Sequence, residues 1–61
     1  MKELDVVRLK SAFQSLLAGT IGTIVLEYDG TDFEVEFFDS CGDTIGVLTT
    51  PAEKIEPVTA C

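Results

Sequence analysis

Apolar and acidic side chains alternate strictly along Phe33-Glu34-Val35-Glu36-Phe37. Because successive side chains of a β-strand point to opposite faces, this alternation predicts a strand with one buried face and one solvated face. We expect Val35 and Phe37 to be buried, and Glu34 and Glu36 to be exposed. A shift by one residue would exchange the two faces, so the alternation also fixes the register of the strand.

Further strands are predicted on both sides of this one. Residues 4–10, 20–28 and 44–49 carry alternating or β-branched patterns that favour strands, and a short closing strand is expected around Ile55. Pro51 ends the strand over 44–49, because proline has no N–H to donate to a sheet. The side chains expected to form the core lie on one face of these strands: Val7, Leu9, Ile24, Leu26, Val35, Phe37, Ile45, Val47 and Ile55.

The long connection between the first two strands carries helix signals. Ser11-Ala12-Phe13-Gln14 has the spacing of a helical capping box, and Gly19 is placed to end a short helical turn. We therefore predict one helical turn in this loop, with Phe13 and Leu17 lying over one end of the core.

Two tight turns and a 3-10 turn complete the predicted elements. Asp29-Gly30 and Ser40-Cys41-Gly42-Asp43 are typical of turns, and Pro51-Ala52-Glu53-Lys54 predicts a 3-10 turn before the last strand. Five short strands in this order predict an all-β protein with a single SH3-like barrel domain over residues 1–61. The alternative is a split sheet crossed by a longer helix, for which only residues 11–18 are available.

Composition excludes several functional classes. The chain has 61 residues, with 11 acidic and 4 basic side chains, a net charge of −7, and no His, Trp or Asn. Without His, the chain lacks Ser-His and Cys-His nucleophile pairs and histidine-based zinc sites, and two Cys cannot complete a tetrahedral thiolate site. We therefore expect no enzymatic activity, no metal and no cofactor.

The ends of the chain bear on its location and on its thiols. Met1-Lys2-Glu3-Leu4-Asp5 is acidic where a signal peptide would be apolar, and the aliphatic run Ile24-Val25-Leu26 is too short to cross a membrane. We expect a cytoplasmic protein in which Cys41 and Cys61 are reduced. The alternative is a disulfide between these two cysteines, which would close a loop of about 20 residues.

Four segments follow a pattern of turn glycines and apolar strand residues that covers the chain to about Val58. They are Leu4-Asp5-Val6-Val7-Arg8-Leu9, Gly19-Thr20-Ile21-Gly22-Thr23-Ile24-Val25, Glu34-Val35-Glu36-Phe37-Phe38-Asp39 and Pro51-Ala52-Glu53-Lys54-Ile55-Glu56-Pro57-Val58. In these segments the chain resembles a family of small bacterial proteins described as a domain of unknown function, family 4926. The resemblance implies an SH3-like barrel and brings no established catalytic residue.

Two short motifs resemble known ligand sites but are better explained as turns. Gly19-x-x-Gly22 precedes a strand in an acidic protein, whereas a nucleic-acid clamp of the GXXG type needs flanking helices and basic residues. Asp39-x-Cys41-x-Asp43 starts like a calcium loop, but the twelfth position is Thr50 instead of Glu.

The candidate binding residues lie in the acidic half of the chain. Glu34 and Glu36 point to the same side of one strand, and Glu27 is expected on the outer face of the neighbouring strand. Residues 27–43 contain seven acids and no base, which disfavours nucleic acid and anionic membranes as partners. Phe38 either points outward beside the glutamates, as an apolar anchor, or is turned inward by a β-bulge. Three bases near the N-terminus are expected to pair with this acidic hairpin: Lys2, Arg8 and Lys10.

These residues predict a non-enzymatic acidic module that docks a basic protein partner, as an antitoxin, an immunity protein or an accessory subunit would. Its partner-binding residues are expected to be Glu27, Glu34, Glu36 and Phe38. The alternative is a homodimer without a separate ligand, formed by Phe38 and an unpaired sheet edge. Catalysis by Glu34 and Glu36 ranks third, because paired carboxylates need an enclosed cleft that the outer wall of a small barrel does not offer.

Overall fold

The computed structural model describes residues 1–58, which form five strands and one 3-10 turn. The elements are β1 (Val6–Leu9), β2 (Ile21–Glu27), β3 (Asp32–Phe38), β4 (Thr44–Pro51), the 3-10 turn (Ala52–Lys54) and β5 (Ile55–Pro57). The strands pair antiparallel in one sheet of order β4-β3-β2-β1-β5. The predicted all-β, five-stranded architecture and the 3-10 turn before the last strand are confirmed. The sheet resembles a small barrel that is not closed, since β4 and β5 do not pair within the described residues.

The core is built on one face of this sheet. Pairing places Ile24 opposite Val35, and Phe33 opposite Thr50. Thr50 is fully buried, and its hydroxyl donates to the Leu48 carbonyl at 3.2 Å, which satisfies the one buried polar side chain of the core. The buried apolar side chains are Val7, Leu9, Ile24, Phe33, Val35, Phe37 and Ile55.

Leu26 does not belong to the core, contrary to the prediction. The pairing of β2 with β3 is regular up to Ile24 opposite Val35, and then skips a residue so that Leu26 lies opposite Glu34. Val25 is the extra residue of this β-bulge. Because one inserted residue reverses the alternation beyond it, Leu26 is carried to the outer face, where it is 42% exposed.

The predicted burial of Ile45 and Val47 is wrong for a different reason, which is the pairing of β4. Leu48 lies opposite the buried Val35, and Val47 lies opposite Glu36. Directly opposite residues of an antiparallel pair share a face, so the core side of β4 is the one that carries Leu48. Ile45 and Val47 are each 49% exposed.

The first loop contains a tight β-turn instead of the predicted helical turn. Phe13 and Leu16 exchange two backbone hydrogen bonds, N–H to O=C, at 2.9 and 2.8 Å. Gln14 and Ser15 between them have φ values of +50° and +71°, the left-handed pair that a two-residue hairpin turn of type I′ requires. This turn packs Phe13 and Leu16 against the core and leaves Leu17, which was expected there, 77% exposed.

Glycine is required at position 22 because β2 and β3 pack closely there, and not because the chain turns. Gly22 is buried in β2, directly opposite Phe37. A Cβ atom at this position would lie 2.6 Å from Cγ1 of Val35 and 2.9 Å from the carbonyl oxygen of Glu36. Only glycine therefore allows β2 and β3 to approach each other here. Gly19, by contrast, does lie in a turn, with φ of +90°.

No helix of the described residues is long and apolar enough to cross a membrane.

Candidate functional site

The face of the sheet opposite the core is called the outer face below, and it is the face on which the sequence predicts the binding residues. Because directly paired residues share a face, the strand pairing defines three rows of side chains across β1 to β4. The rows are Arg8, Ile21, Phe38 and Thr44, then Val6, Thr23, Glu36 and Val47, then Leu26, Glu34 and Thr49, and the pair Asp32 and Pro51 lies beyond the last row. The outer face thus mixes acidic, hydroxyl and apolar side chains.

Glu34 and Glu36 lie on this outer face, as predicted, but they are half-buried and not exposed. The Thr44 hydroxyl donates to Oε2 of Glu36 at 2.9 Å, and the Thr49 hydroxyl donates to Oε1 of Glu34. Both hydroxyls belong to β4, so the neighbouring strand orients each carboxylate. The remaining lone pairs of the two carboxylates are available as acceptors for an external donor.

Glu27 does not join these two glutamates. It lies beyond the bulge of β2 and pairs with Phe33, whose side chain belongs to the core face. Its carboxylate lies on the side of the β2–β3 hairpin, where a Cβ atom at Gly30 would be 4.0 Å from Oε2. The placement of Glu27 beside Glu34 is therefore wrong, because the inserted residue reversed the direction of its side chain.

Phe38 points to the outer face, where it is half-buried beside Ile21. A β-bulge does occur here, but it lies in β4. Phe37 pairs with Gly46 and Phe38 with Thr44, which leaves Ile45 as the extra residue. Of the two alternatives for Phe38, the outward orientation is the one that the pairing supports.

A shallow depression of about 300 Å³ adjoins Phe38. Its apolar lining comes from three chain segments, namely Leu17 of the first loop, Ile21 of β2 and Ile45 of the β4 bulge. Thr20, Asp39 and Ser40 also line the depression, so its lining combines apolar and polar residues. The position of Ile21 on the outer face could have been predicted from the sequence. Side chains alternate along a strand, so Ile21 shares a face with Thr23 and not with Gly22 and Ile24. Leu17 and Ile45 depend on a turn and a bulge that the sequence does not indicate.

Arg8 is neutralised on the outer face by β5. Its Nε donates to Oε2 of Glu56 at 2.8 Å, and Nη2 approaches the same oxygen at 2.5 Å. The predicted pairing of Arg8 with the acidic hairpin is therefore wrong. An exposed pair of this kind stabilises the fold by about 0–1 kcal/mol, so its main consequence is on charge. The charge of the outer face is left to three carboxylates of β3, those of Asp32, Glu34 and Glu36.

The β2–β3 hairpin is closed by Asp29. Its Oδ1 accepts hydrogen bonds from the Thr31 hydroxyl at 2.6 Å and from the Thr31 N–H at 3.0 Å. These bonds, led by the one from the hydroxyl, favour the ionised carboxylate and lower the pKa of Asp29 below its ordinary value. Because that pKa is lowered in the folded chain, the contribution of Asp29 to stability is present at neutral pH. It is lost as the pH falls through the folded-state pKa.

The turn between β3 and β4 explains the motif that resembles a calcium loop. Oδ1 of Asp39 accepts the backbone N–H groups of Cys41 at 2.9 Å and Asp43 at 3.0 Å, so the aspartate serves the turn itself. Residues 1–58 contain no cluster of three or more potential metal ligands. Cys41 is exposed, and Cys61, its partner in the alternative disulfide, lies outside the described residues.

Comparison with known proteins gives a family and no function. No curated protein and no solved structure matches the chain. Residues 3–57 match one protein family, described as a domain of unknown function (DUF4926). That match spans β1 to β5 and agrees with the resemblance seen in the four sequence segments. The protein therefore belongs to the DUF4926 family.

Proposed function

We propose that this protein is a non-enzymatic binding module that docks a basic protein partner on its outer face, around Glu34, Glu36 and Phe38. The observation that carries the proposal is that two carboxylates, each oriented by a threonine hydroxyl of β4, lie on the face that also carries the depression at Phe38. An antitoxin, an immunity protein or an accessory subunit would work in this way.

The chemistry of this surface suits a partner with Arg or Lys side chains around an apolar group. Carboxylates that are already oriented lose little freedom when they accept the paired donors of a guanidinium. An apolar anchor surrounded by polar groups is the usual arrangement at the centre of a small protein interface. In addition, the net charge of −7 raises the rate of encounter with a basic protein.

Other classes of partner and activity are less well supported. Glu34 and Glu36 lie on an open sheet face, whereas paired carboxylates act as acid and base in sites that exclude water. Nucleic acids and anionic membranes carry the same sign of charge as this surface. We propose a cytoplasmic location for the protein. In that compartment the exposed thiol of Cys41 stays reduced.

The test starts with a pull-down from the source cells and continues with association kinetics for the captured partner. Glu34→Gln/Glu36→Gln should lower the association rate by about 10-fold at low salt, since mutating interfacial charges changes the on-rate and its salt dependence. Glu27→Gln/Glu53→Gln is the matched control. This control also removes two negative charges, but from exposed residues outside the three rows, and it should change the association rate much less.

Phe38→Ala tests the apolar part of the surface separately. An anchor contributes after contact, so this variant should mainly raise the dissociation rate. Equal slowing by the two glutamate pairs would show that only net charge matters and would overturn the proposed surface. A dissociation rate unchanged in Phe38→Ala would remove Phe38 from it.

A further inference from the structure

The two edges of the sheet differ in how they are protected against pairing. Proteins protect a sheet edge by keeping it short, by charge and by proline. β5 has all three, because it is three residues long, carries Glu56 and ends on Pro57, which has no N–H. β4 is eight residues long and contains no charged side chain, with proline only at its last position. Its other protective feature is the bulge at Ile45, near its start, and the pairing with β3 from Gly46 to Thr50 is uninterrupted. Within the described residues, no strand pairs with the outer edge of β4.

We propose that β4 is a dimerisation edge, along which a second copy of this chain adds its own β4 antiparallel about a two-fold axis. The contact uses the backbone edge of β4, whose outward side chains border the proposed docking face, and it does not depend on docking of a partner there. An edge strand presents a row of unpaired N–H and C=O groups, and only another extended backbone can satisfy that row in sequence. The proposed dimer thus continues one sheet from the first copy into the second.

The side chains of β4 suit pairing with a second copy. In a symmetric antiparallel pair, a register centred on Val47 places Val47 opposite its own copy, and one centred on Leu48 places Val47 opposite Thr49. Both registers oppose only uncharged side chains, of which Val and Thr are β-branched and favour strands. The hydroxyls of Thr44 and Thr49 bond back to glutamates of β3, which directs both side chains away from the edge.

The high negative charge of the chain does not prevent this contact. The nearest glutamates of the outer face are on β3, so two copies joined through β4 keep their β3 strands three strand spacings apart. That distance is roughly 14 Å, whereas the screening length at physiological ionic strength is about 8 Å. Repulsion between the two rows of glutamates is therefore mostly screened.

The protected β5 edge determines the size of the assembly. After β4 has paired with β4, the sheet formed by residues 1–58 of each copy has one edge left, that of β5, and a three-residue strand with Pro57 offers little to extend. Two-fold pairing of one edge closes the assembly at two copies, whereas two open edges would allow a growing fibre.

The first test is the mass of the unmodified chain in solution, measured by light scattering from micromolar to millimolar concentration. We expect a reversible shift from 6.6 kDa to twice that mass. Val47→Lys should raise the dimer dissociation constant by roughly 100-fold, because it puts a charged side chain on the pairing edge. In the register centred on Val47 the lysine lies opposite its own copy, and in the register centred on Leu48 it lies opposite Thr49, next to the axis. Val25→Lys is the matched control, a similarly exposed valine at the β2 bulge that should leave the dimer intact.

Hydrogen exchange of the unmodified chain is the second test, and it does not depend on whether Val47→Lys folds. Between Gly46 and Thr50, the alternate backbone amides that point away from β3 should become more protected as the concentration rises, while those of β5 should not change. A mass that stays at 6.6 kDa to millimolar concentration would overturn the proposal. So would a dimer that Val47→Lys and Val25→Lys affect equally, or one whose concentration-dependent protection lies outside β4.

Discussion

Phe37 and Leu26 are apolar residues that alternation places together in the core, and that the strand pairing separates. Phe37 is fully buried opposite Gly22, whereas Leu26 is 42% exposed opposite Glu34. Truncation of a buried phenylalanine leaves a cavity, whereas truncation of a half-exposed leucine removes contacts that water partly replaces. The positions of these two side chains can therefore be checked by their effect on stability.

Phe37→Ala should lower the free energy of unfolding by about 3–5 kcal/mol. That loss is comparable to the total stability of a domain of this size, so most molecules of the variant should be unfolded. Leu26→Ala should cost less than about 1 kcal/mol, as is typical of surface substitutions. Urea denaturation followed by circular dichroism measures both on one scale. Similar losses for the two variants would mean that β2 has no bulge and that Leu26 is a core residue.

Which residues are buried could be predicted only where the alternation is uninterrupted. Val35 and Phe37 follow the alternation of β3 and are buried as expected. Leu26 follows an equally good pattern in β2, but the inserted Val25 changes its face, and nothing local in the sequence marks that insertion. The spacing Gly19-x-x-Gly22 favours a turn, and it does not reveal the role of Gly22, because the close approach of β3 that requires glycine there is a tertiary contact.

Among the elements, the strands and the last 3-10 turn could be predicted, and the first loop could not. The hairpin turns carry glycine and aspartate at positions that need them, and Pro51 marks the start of the 3-10 turn. The first loop has capping-box spacing, which is a local signal for a helix. The structure instead uses Phe13 and Leu16 as a pair packed against the core, so a tertiary contact outweighs that signal.

The turn in the first loop uses residues poorly suited to it, and this gives a prediction about stability. Gln14 and Ser15 both have positive φ, a conformation for which Asn-Gly is strongly preferred in a two-residue turn. Gln14→Asn/Ser15→Gly should therefore raise the free energy of unfolding by about 0.5–1 kcal/mol in the same urea assay. In a helical turn the same pair of changes would be destabilising, since Asn and Gly are poorer helix formers than Gln and Ser. The sign of the change thus distinguishes the two conformations.

At the scale of the whole molecule, both faces of the sheet carry apolar side chains, so composition alone could not indicate which face to propose as a binding surface. The acidic residues between Glu27 and Asp43 do predict an acidic protein, but the fold does not gather them on one surface. Glu27 lies on the core side of the β2–β3 hairpin, Asp29 and Asp39 lie in turns, and Glu34 and Glu36 lie on the outer face. Glu34 and Glu36 were correctly placed on the outer face, and Glu27 was not. The sequence shows the length and charge of each strand, but it does not show which two strands form the edges of the sheet. The difference in protection between the edges could therefore be seen only from the strand order of the structure.

Salt should move the two proposed associations in opposite directions. Docking of a basic partner on Glu34 and Glu36 joins opposite charges, so its affinity should fall as added salt screens them. Dimerisation through β4 brings together two chains of net charge −7, so the same salt should tighten it, most steeply at low ionic strength, where the screening length reaches about 30 Å. Sedimentation of the unmodified chain and association kinetics with the captured partner, at the same series of salt concentrations, measure both effects. A dimer that weakens with added salt would have to be held by ion pairs, and the uncharged edge of β4 contains none to supply them.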